Sequence, residues 1–339
     1  MSSQQLDVAV VGATGAVGRE MLSVLRERAF PVGQLRAMAS HRSAGTELEF
    51  GEDTVVVEDL EKADFDGVDI ALFSAGSGVS RAHADRAVEA GAVVVDNTSA
   101  FRMDDGVPLV VPEVNPETIG DHDGIIANPN CSTIQMVVAL DPIADRFGLG
   151  RIVVSTYQSA SGAGQSGVKE LMEGVRAKVA GEHEPEPSTF AHPLAFDALA
   201  HIDTFDDSGY TREELKMARE TRKIMDAPQL EISATCVRIP VIRSHGEAVT
   251  VDTEQPVDVD ALRQLWRETE GVEVVDDPEQ DQYPTSRRAE GTDPCWVGRL
   301  RADRDRPKTL HFWVVSDNLR KGAALNAVQI AEILAEDYQ

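Results

Sequence analysis

A short β-branched run, Asp7-Val8-Ala9-Val10-Val11, meets Gly12-Ala13-Thr14-Gly15-Ala16-Val17-Gly18 and then Arg19 to Arg28, whose apolar residues recur at helical spacing. Strand, glycine turn and helix in that order constrain the fold more than any other feature of the chain. Further apolar runs at Asp69 to Phe73, Ala92 to Val95 and Gly124 to Ala127 alternate with helix-like stretches such as Arg81 to Ala90. This α/β rhythm predicts an N-terminal, doubly wound parallel sheet of Rossmann type. After Cys131 the candidates lengthen: Arg151 to Gln158, Leu230 to Ile242, Ala248 to Thr253 and Thr309 to Val315. They predict a mixed or antiparallel sheet in a second, α+β domain. Gly322 to Tyr338 reads as an amphipathic helix, with Ala324, Val328, Ile330, Ile333 and Leu334 on one broad face, expected to return to the first domain. The expected division is 1–130 plus 322–339, then 131–321. Gly181 to Ser188, rich in Glu and Pro, reads as an exposed loop, and no internal repeat is present.

A glycine turn of this kind lets backbone N–H groups approach a pyrophosphate at a helix N-terminus, where a side chain would intrude and the helix dipole favours anions. A tight turn closing on a helix is the plainer reading. Its place directly after the first strand of a βαβ unit favours a dinucleotide, contacted by Gly12, Thr14, Gly15, Ala16, Val17 and Gly18. The next strand, near Gln34 to Ala39, ends where an acidic residue would hold the adenosine ribose of NAD. Ser40-His41-Arg42-Ser43 stands there instead. Hydroxyls and a guanidinium suit a ribose 2′-phosphate, so NADP is expected, with Ser40, Arg42 and Ser43 around the phosphate. A solvated basic turn is the plainer alternative.

Composition narrows the partners. The chain sets 32 basic against 58 acidic residues, a net charge of −26, with seven lysines. Such a chain repels nucleic acid and anionic membranes. It reads either as an ordinary acidic enzyme or as one adapted to high salt; scarce lysine and clusters such as Asp203-Thr204-Phe205-Asp206-Asp207 favour the second. No stretch approaches the ~18 to 20 apolar residues of a membrane span, and Met1 to Leu6 is polar, so a cytoplasmic protein is expected. Cysteines at 131, 236 and 295 form no paired spacing, which indicates neither a disulfide framework nor a cysteine metal site.

Asn128-Pro129-Asn130-Cys131-Ser132-Thr133 precedes the apolar-periodic segment Ile134 to Phe147, placing Cys131 within the first turn of a helix. A helix N-terminus lowers a thiol pKa and improves it as a nucleophile. Asn130 and Cys131 also offer amide donors for an oxyanion. From spacing alone a nucleophile and a structural cysteine after a turn stand side by side. Cys236, inside a strand candidate, reads as a buried small hydrophobe, and Cys295 beside Trp296 has no evident activating neighbour.

Gly12 to Gly18, Asn128 to Thr133, Gln158-Ser159-Ala160-Ser161-Gly162-Ala163-Gly164, Glu213-Glu214-Leu215-Lys216 and Arg238-Ile239-Pro240-Val241-Ile242-Arg243-Ser244-His245-Gly246 together resemble the aspartate-semialdehyde dehydrogenase family. The resemblance is to its bacterial-type branch, in order, over nearly the whole chain. It implies Cys131 as nucleophile, His245 as acid/base, Gln158 as the residue orienting the acyl group, and Arg238 as the grip on the substrate α-carboxylate. It further implies Arg102 and Lys216 as phosphate cations, Glu213 as partner of the substrate amino group, and Ser161, Gly162 and Asn318 at the cofactor. The implied reaction reduces L-aspartyl-4-phosphate with NADPH through a thioester on Cys131, in a homodimer or homotetramer. Guanidinium suits bidentate carboxylate binding, and imidazole moves protons near neutral pH. Without the resemblance, Glu213 and Lys216 would read as a surface ion pair, and His245 as a loop histidine.

Three rivals remain at this stage. An N-acetyl-glutamyl-phosphate reductase shares the thioester logic, but its cysteine context differs from Asn-Pro-Asn-Cys. A CoA-thioester reductase would need a groove for adenine and pantetheine in place of Lys216 and Arg102. A catalytically silent NADP-binding regulator would have no chemical need for Cys131, Gln158, Arg238 and His245 together.

Overall fold

The computed structural model describes residues 5–336 and divides into two compact units, Met1–Asn130 with Ala323–Gln339, and Cys131–Gly322. In the first unit β1 (Leu6–Val11) enters the glycine turn and α1 (Ala16–Glu27) leaves it. Then come β2 (Val32–Ala39), the small hairpin β3 (Glu47–Phe50) and β4 (Asp53–Val56), β5 (Glu58–Asp59), β6 (Ile70–Phe73), α2 (Ser77–Glu89), β7 (Val93–Asp96) and β8 (Ile125–Ala127). The main sheet runs β5-β2-β1-β6-β7-β8, and every pairing in it is parallel. β1 pairs with β2 on one side and β6 on the other, so the strand order reverses at the glycine turn, where sheets of this kind hold their ligand. Runs such as Ile70-Ala71-Leu72-Phe73 are wholly apolar because helices cover both faces, and their side chains are fully buried.

In the second unit α3 (Cys131–Phe147) leads to β9 (Arg151–Gln158), α4 (Gly164–Ala180), α5 (Arg212–Ile224), β10 (Glu231–Arg238) and β11 (His245–Asp252). α6 (Val259–Glu268), β12 (Val272–Val274), α7 (Ser286–Ala289), β13 (Cys295–Ala302) and β14 (Thr309–Ser316) complete it. The sheet, β10-β9-β11-β14-β13-β12, is mixed: its two outer pairs are parallel and the inner three antiparallel. β9 alternates exposed and buried residues, the mark of a sheet with one face on a core. Trp266 of α6 anchors that core. It is fully buried, donates from Nε1 to the Ala139 carbonyl at 3.0 Å, and meets Phe312 edge-on with centroids 5.3 Å apart. The chain then re-enters the first unit through α8 (Leu325–Glu336), which packs on α1.

Several boundaries differ from the expectation. The strand expected over Leu230 to Ile242 stops at Arg238, two residues before Pro240, which cannot donate to a ladder. β11 starts at His245 rather than Ala248, because Ser244, at φ 75°, turns the chain into the sheet. β12 and β13 were not anticipated. The C-terminal helix starts at Leu325, after a wide π turn over Arg320–Ala324, and Tyr338 lies outside the described residues, as do Met1 to Gln4. Gly181 ends α4 in the left-handed conformation, and the segment after it is largely exposed. No helix among the described residues is long and apolar enough to cross a membrane.

Candidate functional site

In the first unit the glycine turn is made by close backbone contact. Gly12 sits at φ 89°, and a Cβ there would lie 2.9 Å from the Ala75 nitrogen; a Cβ on Gly18 would collide with the Gly12 carbonyl. Gly15 caps α1 without any side-chain hydrogen bond, so the amides of the first turn, which includes Ala16 and Val17, keep their donors directed out of the helix end. The segment after β2 folds into a tight turn in which the Ser43 N–H donates to the Ser40 carbonyl at 2.8 Å. Thr14 Oγ1 donates to Ser43 Oγ at 3.4 Å, which brings this turn beside the glycine loop, with Arg42 exposed. No carboxylate belongs to the turn. This is a glycine cradle of the kind that receives a dinucleotide, and the hydroxyls and guanidinium beside it suit a 2′-phosphate. Arg102 is buried in the same unit, donating from Nε to the Asn128 carbonyl at 2.9 Å and from Nη2 to the Asn97 carbonyl at 3.0 Å. Asn130, also buried, ends the unit.

The second unit opens on Cys131, half-buried at the N-terminus of α3. Gly322 packs beside it, where an added Cβ would come within 2.8 Å of the Cys131 Cβ. The sheet supplies the other groups at one end of its inner face. Arg238 closes β10 in register with Gln158 at the end of β9, and β11 begins with His245 opposite Ser316. All four are buried.

Fixed contacts specify their orientation. Gln158 donates from Nε2 to Glu213 Oε1 at 3.1 Å, while Glu213 Oε2 stands 3.3 Å from Lys216 Nζ, which also pairs with Asp203 at 2.7 Å. Glu214 is occupied elsewhere. It closes a capping box with Thr211 at the start of α5 and accepts the Cys236 N–H at 3.0 Å. Glu213 is therefore the carboxylate beside Gln158. Arg238 donates from Nη1 to the Ser159 carbonyl at 2.7 Å. Burial pulls its pKa down, opposed by Glu213 and Cys131.

His245 is fully enclosed, and burial first, then the Arg238 charge, push its pKa down to about 3. The ring is neutral at ordinary pH. Its Nδ1 accepts the Ser159 backbone N–H at 3.1 Å, so the ring proton resides on Nε2, which has no hydrogen-bond partner among the described residues. Gly162 leaves the space in front of it: a Cβ there would lie 3.2 Å from His245 Nε2 and 2.7 Å from Arg238 Nη1. Asn318 accepts from Ser159 Oγ at 3.2 Å, Ser161 Oγ at 3.1 Å and the Ser244 N–H at 2.8 Å, holding the loops on either side of His245.

Ser159 and Ser244 were missed as orienting residues. Ser159 lies inside the Gln158 to Gly164 motif, and it meets Nδ1 both with its hydroxyl and with its backbone N–H, each at 3.1 Å, of which the backbone donor carries no side-chain signal. Cys236 is fully buried, and burial with the nearby Glu213, Glu214 and Glu247 raises its pKa, leaving a thiol unsuited to nucleophilic work.

A doubly wound sheet with a glycine cradle at its switch point, joined to a unit bearing a helix-start cysteine, a buried histidine and a buried arginine, defines a dinucleotide-dependent dehydrogenase. Residues 7–122 match the NAD binding domain of semialdehyde dehydrogenases and residues 140–321 their dimerisation domain. The chain is 52% identical over 333 residues to the aspartate-semialdehyde dehydrogenase of Aquifex aeolicus, covering 97% of this chain and 98% of that protein. Among solved structures it resembles aspartate semialdehyde dehydrogenase II of Vibrio cholerae complexed with ASA, at 50% identity and a TM-score of 0.97, covering 99% and 100% of the two chains. It also resembles the Candida albicans enzyme with NADP, at 26% identity and a TM-score of 0.76 over 98% of each chain. The chain belongs to the aspartate-semialdehyde dehydrogenase family.

Proposed function

We propose that this protein catalyses the reversible, NADPH-dependent reductive dephosphorylation of L-aspartyl-4-phosphate to L-aspartate 4-semialdehyde, as a cytoplasmic step of lysine, threonine and methionine biosynthesis. The observation that carries the reading is His245: a neutral imidazole with its proton directed to Nε2, beside Arg238, in the unit that begins with Cys131.

Cys131 attacks the acyl carbon, forming the C–S bond as the C–O bond to phosphate breaks. Arg102 and Lys216 neutralise the leaving phosphate. Arg238 holds the α-carboxylate with its planar fork, and Glu213, already paired with a cation in Lys216, receives the substrate ammonium. Gln158 sets the acyl carbonyl, and the amides of Asn130 and Cys131 receive the oxyanion. The bound cofactor supplies the hydride that reduces the thioester. The tetrahedral alkoxide then collapses to the aldehyde as the C–S bond breaks and Cys131 departs as a thiolate, and the His245 Nε2–H donates a hydrogen bond to the charge that develops there. Ser161, Gly162 and Asn318 serve the nicotinamide side of the site, and Gly12 to Gly18 with Ser40, Arg42 and Ser43 the phosphates.

The unit is read as joining two copies into a homodimer, with a homotetramer as the larger assembly. Support comes from the sheet face opposite its core, where Val153 and Tyr157 are exposed and Tyr157 stacks at a tilt on Trp313. The decisive assay is phosphate-dependent NADP reduction with aspartate semialdehyde, run beside N-acetyl-glutamate semialdehyde and beside malonate semialdehyde with CoA. Turnover of the first alone supports the reading, and none with it overturns it.

A further inference from the structure

The segment after α4 folds back along that helix toward its start. Lys178, in the last turn of α4, pairs with Glu184 of the returning segment. Nearer the start, Glu170 takes the chain by its backbone. Its Oε2 accepts the N–H of Ser188 at 2.9 Å, the hydroxyl of Ser188 at 3.0 Å and the N–H of Thr189 at 2.6 Å, while Oε1 accepts the N–H of Phe190 at 3.3 Å. Burial raises the Glu170 pKa, and these donors more than reverse the rise, so the clasp is a charged carboxylate. Phe190 is thereby set beside the first turn of α4. It is half-buried against Leu171, Leu194 and Leu199, and Gly167 makes room for it, since a Cβ there would come within 3.0 Å of Phe190 Cζ. Over this ring, with its Cζ 5.8 Å from the centroid, lies the Arg238 guanidinium.

That guanidinium is buried, yet among the described residues it donates a single hydrogen bond, to the Ser159 carbonyl, and makes no ion pair. Its other N–H donors, which lie in the guanidinium plane, are left for a ligand. We propose that Phe190 is a positioning residue for the substrate: its ring, held by the Glu170 clasp, shields one face of the Arg238 guanidinium and leaves free the edge that grips a carboxylate. A guanidinium is weakly hydrated and donates in its plane, so an aromatic ring on its face takes away no hydrogen bond. The ring keeps water off that side, and a charge-assisted pair with a carboxylate is stronger where water is excluded.

The inference rests on Arg238 as the grip on the substrate α-carboxylate, and its test separates the two. Phe190→Leu should raise KM for aspartate semialdehyde about fivefold or more, with kcat and KM for NADP within about twofold of the wild type. Glu170→Ala should reproduce most of that rise, and the double variant should be no worse than Phe190→Leu alone. Glu170→Gln, which keeps an oxygen for the amides, should rescue most of the loss. A packing role alone would lower the melting temperature of Phe190→Leu and leave all three constants in place. Arg238→Lys, which keeps the charge and loses the planar fork, judges the grip through a lowered kcat/KM for aspartate semialdehyde. An unchanged kcat/KM in that variant, or no turnover by the wild type, overturns the grip and the shield with it. A lowered kcat/KM there beside a wild-type KM in Phe190→Leu, or additive effects of the Phe190 and Glu170 variants, overturns the shield alone.

Discussion

At the scale of single residues, the two cysteines with opposite surroundings give the sharpest contrast. Cys131→Ser should remove nearly all turnover, because a hydroxyl at a helix start remains a poor nucleophile at neutral pH. Cys236→Ala should retain turnover and lose about 1 kcal/mol of stability, the scale of one buried methylene-sized group with its cavity. Turnover assays and melting curves of the pair check both, and an active Cys131→Ser enzyme removes the thioester. His245 carries a pH prediction of its own. Its folded pKa of about 3 lies below the 6.5 of an exposed histidine, so between these values the unfolded chain binds the extra proton. Stability is therefore intact above about pH 6.5 and is lost as pH falls toward 3. His245→Gln should melt with a shallower acid slope than the wild type; parallel slopes would mean the ring is not buried neutral. The same ring marks the limit of sequence reading. The resemblance over Arg238 to Gly246 implies His245, but nothing in the sequence specifies its tautomer, which depends on a backbone N–H that folding brings from 86 positions away.

At the scale of elements, the capping box at the head of α5 joins stability to chemistry. Thr211 accepts the Glu214 N–H and the Glu214 carboxylate accepts the Thr211 N–H, while Glu213, one residue earlier in the same turn, accepts from Gln158. Thr211→Ala should cost about 1 kcal/mol of stability, the usual worth of a lost N-cap, and should raise KM for aspartate semialdehyde more than it lowers kcat. Equal loss in kcat with KM unchanged would show that Glu213 does not meet the substrate. What was legible at this scale follows from periodicity. The buried parallel strands and β9 announced themselves because burial on two faces or one leaves a pattern in the residues themselves. β13 did not, since Arg299 and Arg301 interrupt its apolar alternation and Arg299 takes φ 54° at a bulge opposite β14. The π turn before α8 also escaped notice. It shifts the helix start by three residues from Gly322 to Leu325, and Gly322 is kept small by Cys131 rather than by any local signal.

At the scale of the whole molecule, a net charge of −26 must coexist with the anionic substrate and cofactor of the proposed reaction. Salt acts on the two differently. Surface pairs such as Arg28 with Glu332 and Arg81 with Asp104 contribute on the order of 0 to 1 kcal/mol each and are weakened by screening. The uncompensated acidic excess repels itself at longer range, and the screening length falls from about 10 Å at 0.1 M salt to about 3 Å at 1 M, so that repulsion is relieved. With so large an excess of carboxylates over cations, the relief should exceed the loss from the pairs. The melting temperature should rise by about 5 °C or more between low and molar KCl, given that about 1 kcal/mol moves Tm by a few degrees in domains of this size. The site should follow in the same direction. Arg102 and Arg238 are buried, so the short-range grip on an anionic substrate proposed for them would be screened little, whereas long-range repulsion between the acidic surface and such a substrate is screened strongly. KM for the aspartyl substrate should therefore fall or hold steady as KCl rises, although salt ordinarily weakens the binding of anions to arginine. Melting curves and initial rates over a KCl series, with sorbitol as an uncharged control, read both effects. A Tm that stays flat or drops would assign the acidic excess no role in stability, and a KM that climbs steeply with salt would place the substrate's cations at the surface instead of in the core.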